Sequence, residues 1–356
     1  MSSVLTRQEI KELVDIEIQD LFKQYRPVAD KIDPEYGELI GSMANYMQRG
    51  GKRIRAYLTY LGFRGFASGN NTEIYKIAAS QELLHNFLLI HDDIIDRDNF
   101  RYHGLNIGGI YTERFKESHS SNEAEHYGNS VALLAGDINH IFMHQLLLDS
   151  KFDDSYKIRA LKWTGEKTLE VAGGELLDLM VSVEKGQAPS DDQLFNIARY
   201  KTASYSFECP LVLGALLAGA DESIVGKLSS FAVPLGTAYQ LQDDLIGMFG
   251  NTEDTGKPVG SDLHEGKQTL LINYAYDAAN DEQRDLLINS VGDPTVDEKR
   301  FNKVLNIIDS TGAKNKVEQQ IESLVAQANE SLPHQLDTDV TKTLLELSEK
   351  TLQRSS

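Results

Sequence analysis

Apolar side chains recur along this chain every three or four residues, the spacing that lines one face of an α-helix. The clearest case is 74–96, where Ile77, Leu84, Leu88 and Ile95 fall on one stripe. The same period runs through 130–149, 155–181, 193–220, 224–249, 268–277 and 297–329. Strand-like alternation is scarce, and glycine and proline fall mainly between these segments, where a helical protein places its breaks. No unit repeats at a fixed period, and no shift of composition marks a linker. The pattern predicts an all-α fold, one domain over 1–356 built from about ten or more helices.

Two stretches depart from the period. Residues 104–129 are polar and rich in Gly, Ser and Asn, which reads as a long loop inserted between helices. Residues 250–268 form a second such stretch, directly after a pair of aspartates. Long loops in compact domains are most often functional or disordered, so 250–268 is a lid candidate.

Composition narrows the function. Hydrophobic residues make up 41% of the 356 and charged residues 25%, ordinary for a globular protein in water. The N-terminal MSSVLTRQEIKELV has no apolar core behind a basic start, so no secretory signal is expected. No apolar run approaches the length of a membrane span, so no integral membrane segment is expected either. The single cysteine, Cys209, excludes an intramolecular disulfide and fits a reducing cytoplasm; as a residue it reads as buried core. A net charge of −19 argues against nucleic acid, whose phosphates need a basic face. Against that acidic background the basic cluster GGKRIRA at 50–56 stands out.

The chemistry lies in two acidic clusters. In HDDIID at 91–96, Asp92 and Asp96 are four residues apart and share a helical face, and the same stripe extended backwards reaches His85. Like charges stacked a turn apart repel and invite a cation. Mg²⁺ suits them, because it binds through one or two carboxylates and completes its octahedron with water and phosphate oxygens. One such cluster also fits a solvated helix end. The second, QLQDD at 240–244, again follows an apolar helical stretch and precedes Lys257 and Lys267. Together they describe a diphosphate held through metal ions. No cysteine–histidine cluster of zinc spacing and no GxxxxGK[ST] loop competes.

With these motifs in view, the sequence resembles the trans-isoprenyl diphosphate synthases, the polyprenyl synthetase family that includes farnesyl and geranylgeranyl diphosphate synthases. The resemblance covers about residues 40–275 in order: GGKRIR (50–55), ELLHNFLLIHDDIID (82–96), LLAGD (133–137), YKTASY (200–205), YQLQDD (239–244) and GKPVGSDLHEGKQT (256–269). It implies the isoprenoid synthase fold, a helical bundle around a central hydrophobic cavity, usually as a homodimer. It implies head-to-tail condensation of an allylic diphosphate with isopentenyl diphosphate, dependent on three Mg²⁺. Asp92 and Asp96, with Asp93 in support, would hold two of the ions, and Asp243, beside Asp244, the third. Arg101, Lys201, Gln240, Lys257 and Lys267 would hold the allylic diphosphate, with Thr202 near the cationic carbon. Lys52, Arg55 and His85 would hold isopentenyl diphosphate. Asp137 and Asp178 would support the site, Asp178 as counter-ion to Arg101. His140 and His144 read as surface or loop residues.

Three positions depart from the family's pattern. Tyr102 stands where a second arginine is common, Gly247 where a third aspartate often sits, and Glu175 where glutamine is frequent. Tyrosine donates a hydrogen bond but carries no charge, so weaker isopentenyl diphosphate binding is expected. Product length is read from the residues before the first cluster: Leu88 lies one turn, about 6 Å, below Asp92, Leu84 about 12 Å below, and Phe87 flanks them. An aromatic at 87 and no insertion within the cluster resemble the geranylgeranyl-forming arrangement. The rival readings are a farnesyl or longer-chain synthase, a terpene cyclase, against which GGKRIR and His85 argue, and a non-catalytic subunit of a hetero-oligomeric synthase.

Overall fold

The structure is a computed structural model that describes residues 4–67, 69, 71–102, 104–183, 188–250, 260, 263–264 and 266–353. The chain gathers into two compact units, one of residues 1–162 with 213–220 and the other of 163–212 with 221–356. Two of the boundaries fall inside helices, so no linker composition marks them and the sequence reads as one domain.

The first unit opens with α1 (Arg7–Ile32), started by a capping box between Thr6 and Glu9, and α2 (Pro34–Gln48), started by Asp33 with Pro34 in its first turn. Then come α3 (Ile54–Arg64) and α4 (Ile74–Ile95). An antiparallel ribbon follows, β1 (Phe100–Arg101) and β2 (Gly104–Leu105), with Phe100 opposite Leu105 and Arg101 opposite Gly104. α5 (Ile107–Lys116) and α6 (Ser121–Leu148) continue from it. α4 packs against α1, α3, α5 and α6, and its Ile77, Leu83, Leu84 and Ile90 are at most 1% exposed. A helix surrounded in this way is apolar on most faces, and its acidic C-terminal end is therefore a deliberate exception.

The expected loop at 104–129 is corrected by α5 and the first turns of α6. Asn106 caps α5 through the Gly109 N–H, and Ser120 with Glu123 forms a capping box on α6. Its glycines serve close packing: a Cβ on Gly128 would lie 2.5 Å from the Gly108 carbonyl oxygen. Small residues there reflect two helices in near contact.

α6 also corrects the expectation about apolar runs, since by length and composition it is sufficient to cross a membrane. In this fold 44% of that window is buried, against α4 and α5. Its exposed face carries Leu134, Ile141 and Leu148 at seven-residue intervals.

The second unit holds most of α7 (Asp154–Val183), then α8 (Asp191–Ile197), a π-helical segment (Ala198–Glu208) and the start of α9 (Cys209–Leu217). α10 (Glu222–Phe249) lies against the π-helical segment and against α11 (Leu270–Ala278), α14 (Ala313–Glu330) and α15 (Thr338–Gln353). Between these run α12 (Asp281–Ser290) and α13 (Glu298–Ser310). The single periodic stretch 193–220 thus resolves into three pieces. Pro210 has no N–H to continue the ladder, and the π register gives way to α9 beside it. The stretch 297–329 breaks at Gly312, whose φ of 74° suits glycine.

A buried ionic network ties the π-helical segment to α7. Lys167 Nζ lies 2.9 Å from both Glu170 and Glu208, and Ser204 donates to Glu170. Trp163 covers the ammonium at 4.6 Å and donates its indole N–H to the Cys209 carbonyl. Cys209 is fully buried, and burial pushes its thiol up to about 12.

Candidate active site

In the first unit the acidic end of α4 divides its carboxylates between two kinds of neighbour. Asp96 caps the helix, its N–H donating to the Asp92 carbonyl at 2.8 Å, and its side chain is exposed. Asp92 is half-buried. Asp93 turns inward instead: it is 4% exposed and accepts from Arg101 at 2.6 Å through Nε and 2.5 Å through Nη2, with the Tyr46 hydroxyl 3.5 Å away. Burial pushes the Asp93 carboxyl up to about 6, against the pull of Arg101. Burial likewise opposes the charge on Arg101, but Asp93 outweighs it and holds the guanidinium proton more firmly than water does. Arg101 Nη2 also lies 3.7 Å from Asp92, so one guanidinium joins the two adjacent acids.

The basic motif leads into α3 through backbone that only certain residues adopt. Gly51 has φ of 101°, open to glycine, and Arg53 caps α3 in the left-handed region at φ of 51°. Arg53 is not a surface cation. It reaches Asp15 at 2.8 Å, the Met47 carbonyl at 2.6 Å and Glu82 at 3.6 Å, and Glu82 also accepts from the Ala56 N–H at 3.0 Å. Of the motif's cations, Lys52 is exposed and Arg55 half-buried. His85 sits in the field of Arg55, Arg101 and Arg53, and burial with those three cations holds its imidazole well below the usual histidine range. It is a neutral hydrogen-bonding group among guanidiniums, an arrangement that suits an anion.

Phe87 and Leu88 are half-buried, while Leu84 is sealed in the core. The Phe87 ring meets His91 edge-on at 4.7 Å and stacks on His140 at 4.7 Å and 20°. His140 in turn meets His144 at 4.7 Å. His140 therefore belongs to the packing of α6 against α4, correcting its reading as a surface residue, and half-buried His144 packs on it along α6. Their four-residue spacing was the available signal. Asp137 lies 3.8 Å from His91.

In the second unit, Lys201 and Thr202 stand on the π-helical segment, pressed between two glycines. A Cβ on Gly174 of α7 would lie 2.4 Å from the Lys201 nitrogen, and one on Gly236 of α10 would lie 2.7 Å from Ala203 Cα. Lys201 Nζ bonds Asp178 at 2.7 Å and Glu175 at 3.0 Å. Asp178 is thus a partner of Lys201. A hydrogen-bonded line runs onward from Thr202: its hydroxyl donates to Gln240 at 2.8 Å, Gln240 donates to Asp244 at 2.9 Å, and Lys267 donates to the same Asp244 oxygen at 2.9 Å. Asp244 is 7% exposed and held by protein donors, whereas Asp243 is half-buried beside it. Lys257 and most of the lid candidate 250–268 lie outside the described residues.

In both clusters one carboxylate is buried and held by a protein cation, Asp93 by Arg101 and Asp244 by Lys267, and the adjacent Asp92 or Asp243 is half-buried. Among the described residues no three acidic, histidine or cysteine side chains gather as a full ligand set for one metal. Such a donor set suits a hard cation that takes only one or two carboxylates and fills its remaining positions from water and phosphate, as Mg²⁺ does.

Residues 37–308 match the polyprenyl synthetase family. The chain is 31% identical over 299 residues to the geranylfarnesyl diphosphate synthase of Aeropyrum pernix, covering 83% of this chain and 86% of that one. It is equally 31% identical over 300 residues to a (2E,6E)-farnesyl diphosphate synthase of Mycobacterium bovis, covering 81% and 77%. Among solved structures it is similar to the geranylgeranyl pyrophosphate synthase of Corynebacterium glutamicum complexed with isoprenyl diphosphate and magnesium. That match has a TM-score of 0.92 at 28% identity and covers 99% of this chain and 100% of the other.

Proposed function

Because this chain belongs to the polyprenyl synthetase family, whose members are prenyl-transferring enzymes of the all-α isoprenoid synthase fold, we propose that it extends an allylic diphosphate to geranylgeranyl diphosphate. The prenyl transfer itself, from an allylic diphosphate to isopentenyl diphosphate, is the family's reaction. The observation that supports the chain length is Phe87, an aromatic ring about a turn before Asp92 that stacks on His140 and in this reading forms the floor of the product pocket. Shortening it should deepen that space by about one isoprene unit, roughly 5 Å of helix. Purified Phe87→Ala, given labelled isopentenyl diphosphate, is expected to shift the main product one or more units longer on chromatography. An unchanged product distribution would refute the assignment. With the natural chain the same assay separates the rivals, since a cyclase would release hydrocarbon or alcohol and a non-catalytic subunit would release nothing.

In this reading Asp92, Asp96 and Asp243 ligate three Mg²⁺ ions, with Asp93 and Asp244 holding the clusters in shape through Arg101 and Lys267. When bound, the metal neutralises charge developing on the departing diphosphate. The chain's own residues supply the rest. Arg101, Lys201, Gln240, Lys257 and Lys267 orient the allylic diphosphate by charge-assisted hydrogen bonds, and Thr202 places a hydroxyl near the cationic carbon. Lys52, Arg55 and neutral His85 hold isopentenyl diphosphate, whose final proton passes to the released diphosphate.

Glu175 limits this scheme in a measurable way. It puts a second carboxylate on Lys201, so the ammonium must be shared between protein and substrate. Glu175→Gln keeps a hydrogen-bond acceptor and removes the charge. The expected outcome is a KM for the allylic substrate about three- to tenfold lower, since one partly exposed ion pair is worth about 1 kcal/mol. A higher KM would count against Lys201 as a diphosphate ligand.

The same reading makes the protein a homodimer. On α7 the apolar Leu169, Leu176, Met180 and Val183 are 50–75% exposed, and α6 shows its own stripe of Leu134, Ile141 and Leu148. Rows of this kind are rare on faces that stay in water and are supplied best by a second copy. Light scattering should give twice the 39.7 kDa chain mass, and a monomer at micromolar concentration would reject it.

A further inference from the structure

The ribbon after α4 touches the basic motif at two points. Arg49, the residue before GGKRIR, donates to the Leu105 carbonyl on β2 at 2.6 Å. Tyr102, at the ribbon's turn, lays its ring on Gly50: a Cβ there would lie 2.5 Å from the ring. Tyr102 holds a left-handed backbone, φ of 53°, a conformation disfavoured for a bulky residue unless its surroundings enforce it. Tyr46 flanks the ring at 6.0 Å, and the adjoining Arg101 is bonded to Asp93. Gly50 and Gly51 have no side chains with which to fix their own course. The ribbon therefore secures the beginning of this loop, as Arg53 secures its end in the core.

We propose that Arg49 and Tyr102 are positioning residues for isopentenyl diphosphate: they pin the Gly50–Lys52 turn so that Lys52 and Arg55 are set before substrate arrives. The proposal rests on Lys52, Arg55 and His85 being the isopentenyl diphosphate ligands. It accounts for a tyrosine where the family commonly has arginine. The charge lost at 102 is offset by a loop ordered in advance, which removes an entropy cost from binding. The contact also joins the motif to Asp93 through Arg101.

Steady-state kinetics of the full-length protein tests this. Arg49→Ala should raise KM for isopentenyl diphosphate about tenfold, the worth of one charge-assisted hydrogen bond. Turnover and the allylic KM should stay within about twofold, and Arg49→Lys, which keeps a donor, should recover most of the loss. A double-mutant cycle reads the other contact. Gly50→Ala should raise the isopentenyl KM in the natural chain, where the methyl meets the ring, and add nothing on a Tyr102→Ala background. Tyr102→Arg should bind at least as well as tyrosine, because an arginine stem also covers Gly50 and restores the charge.

Two results overturn the proposal. One is an Arg49→Ala variant that changes turnover and both KM values alike. The other is a Gly50→Ala effect equal in both backgrounds. Lys52→Ala and Arg55→Ala separate its failure from that of the underlying assignment. If these leave the isopentenyl KM unchanged, the diphosphate lies elsewhere and the proposal falls with the assignment. If they raise it while the Arg49 and Gly50 results fail, only the pinning is wrong.

Discussion

Asp92→Asn should turn over at least about a thousandfold more slowly than the natural chain, with its helical content intact. The change is nearly isosteric, yet it replaces an anionic oxygen donor with a neutral amide at the one turn of α4 where two carboxylates share a face. Stabilising charge on a leaving diphosphate is worth several kcal/mol, and a factor of ten is about 1.4 kcal/mol, so the loss is of that order. Raising Mg²⁺ should recover part of it, because a weakened site still fills by mass action. Asp93→Asn should behave differently. It removes the charge of a carboxylate that is itself buried and is the nearest partner of half-buried Arg101, so its defect should include lower thermal stability and little response to Mg²⁺. Single-turnover rates against Mg²⁺ concentration, with circular dichroism alongside, check both. If Asp92→Asn keeps more than a tenth of the natural rate, Asp92 is not a metal ligand.

Lys167→Ala should cost about 3–5 kcal/mol of stability, the usual penalty for removing one partner of a buried ion pair. Lys167 and Glu208 are 8% and 6% exposed, and without the ammonium two carboxylates would face each other across a gap left by the side chain. Replacing the group as a whole is the control. Lys167→Met with Glu170→Gln and Glu208→Gln leaves no isolated charge and should recover much of the loss. Urea unfolding followed by circular dichroism reads the difference. A loss below 1 kcal/mol in the single variant would show that the network adds nothing to the fold. The rate should also fall in Lys167→Ala, since Ser204 and Glu208 anchor the π-helical segment that carries Lys201 and Thr202.

The sequence made the helices visible wherever apolar residues repeat, and the order of the basic and acidic motifs located the chemistry. What it left obscure has physical causes. A carboxylate that ligates a metal and one that binds arginine share the same letter, so HDDIID could not reveal that Asp93 takes the close contacts of Arg101, at 2.6 and 2.5 Å, while Asp92 lies 3.7 Å from it. Three cations in GGKRIR look alike, yet Arg53 is drawn inward by Asp15, far away in sequence. The partner of Asp178 depended on which helix face meets the π-helical segment, and in the sequence that segment is merged into the one helical-period stretch 193–220. The supposed loop at 104–129 failed for another reason. Close helix packing selects glycine and small polar residues, the same composition that marks a flexible segment.

Cys209 has a practical consequence. It is the chain's one thiol, sealed in the core and reluctant to ionise, so thiol-directed reagents should pass over the folded natural protein. A cysteine placed by substitution on an exposed side chain then becomes the sole handle for a fluorophore or spin label. One at Ile288 on α12, 52% exposed and outside the apolar rows of α6 and α7, would put a label on every copy, and distances between labels would report assembly without a background signal to subtract.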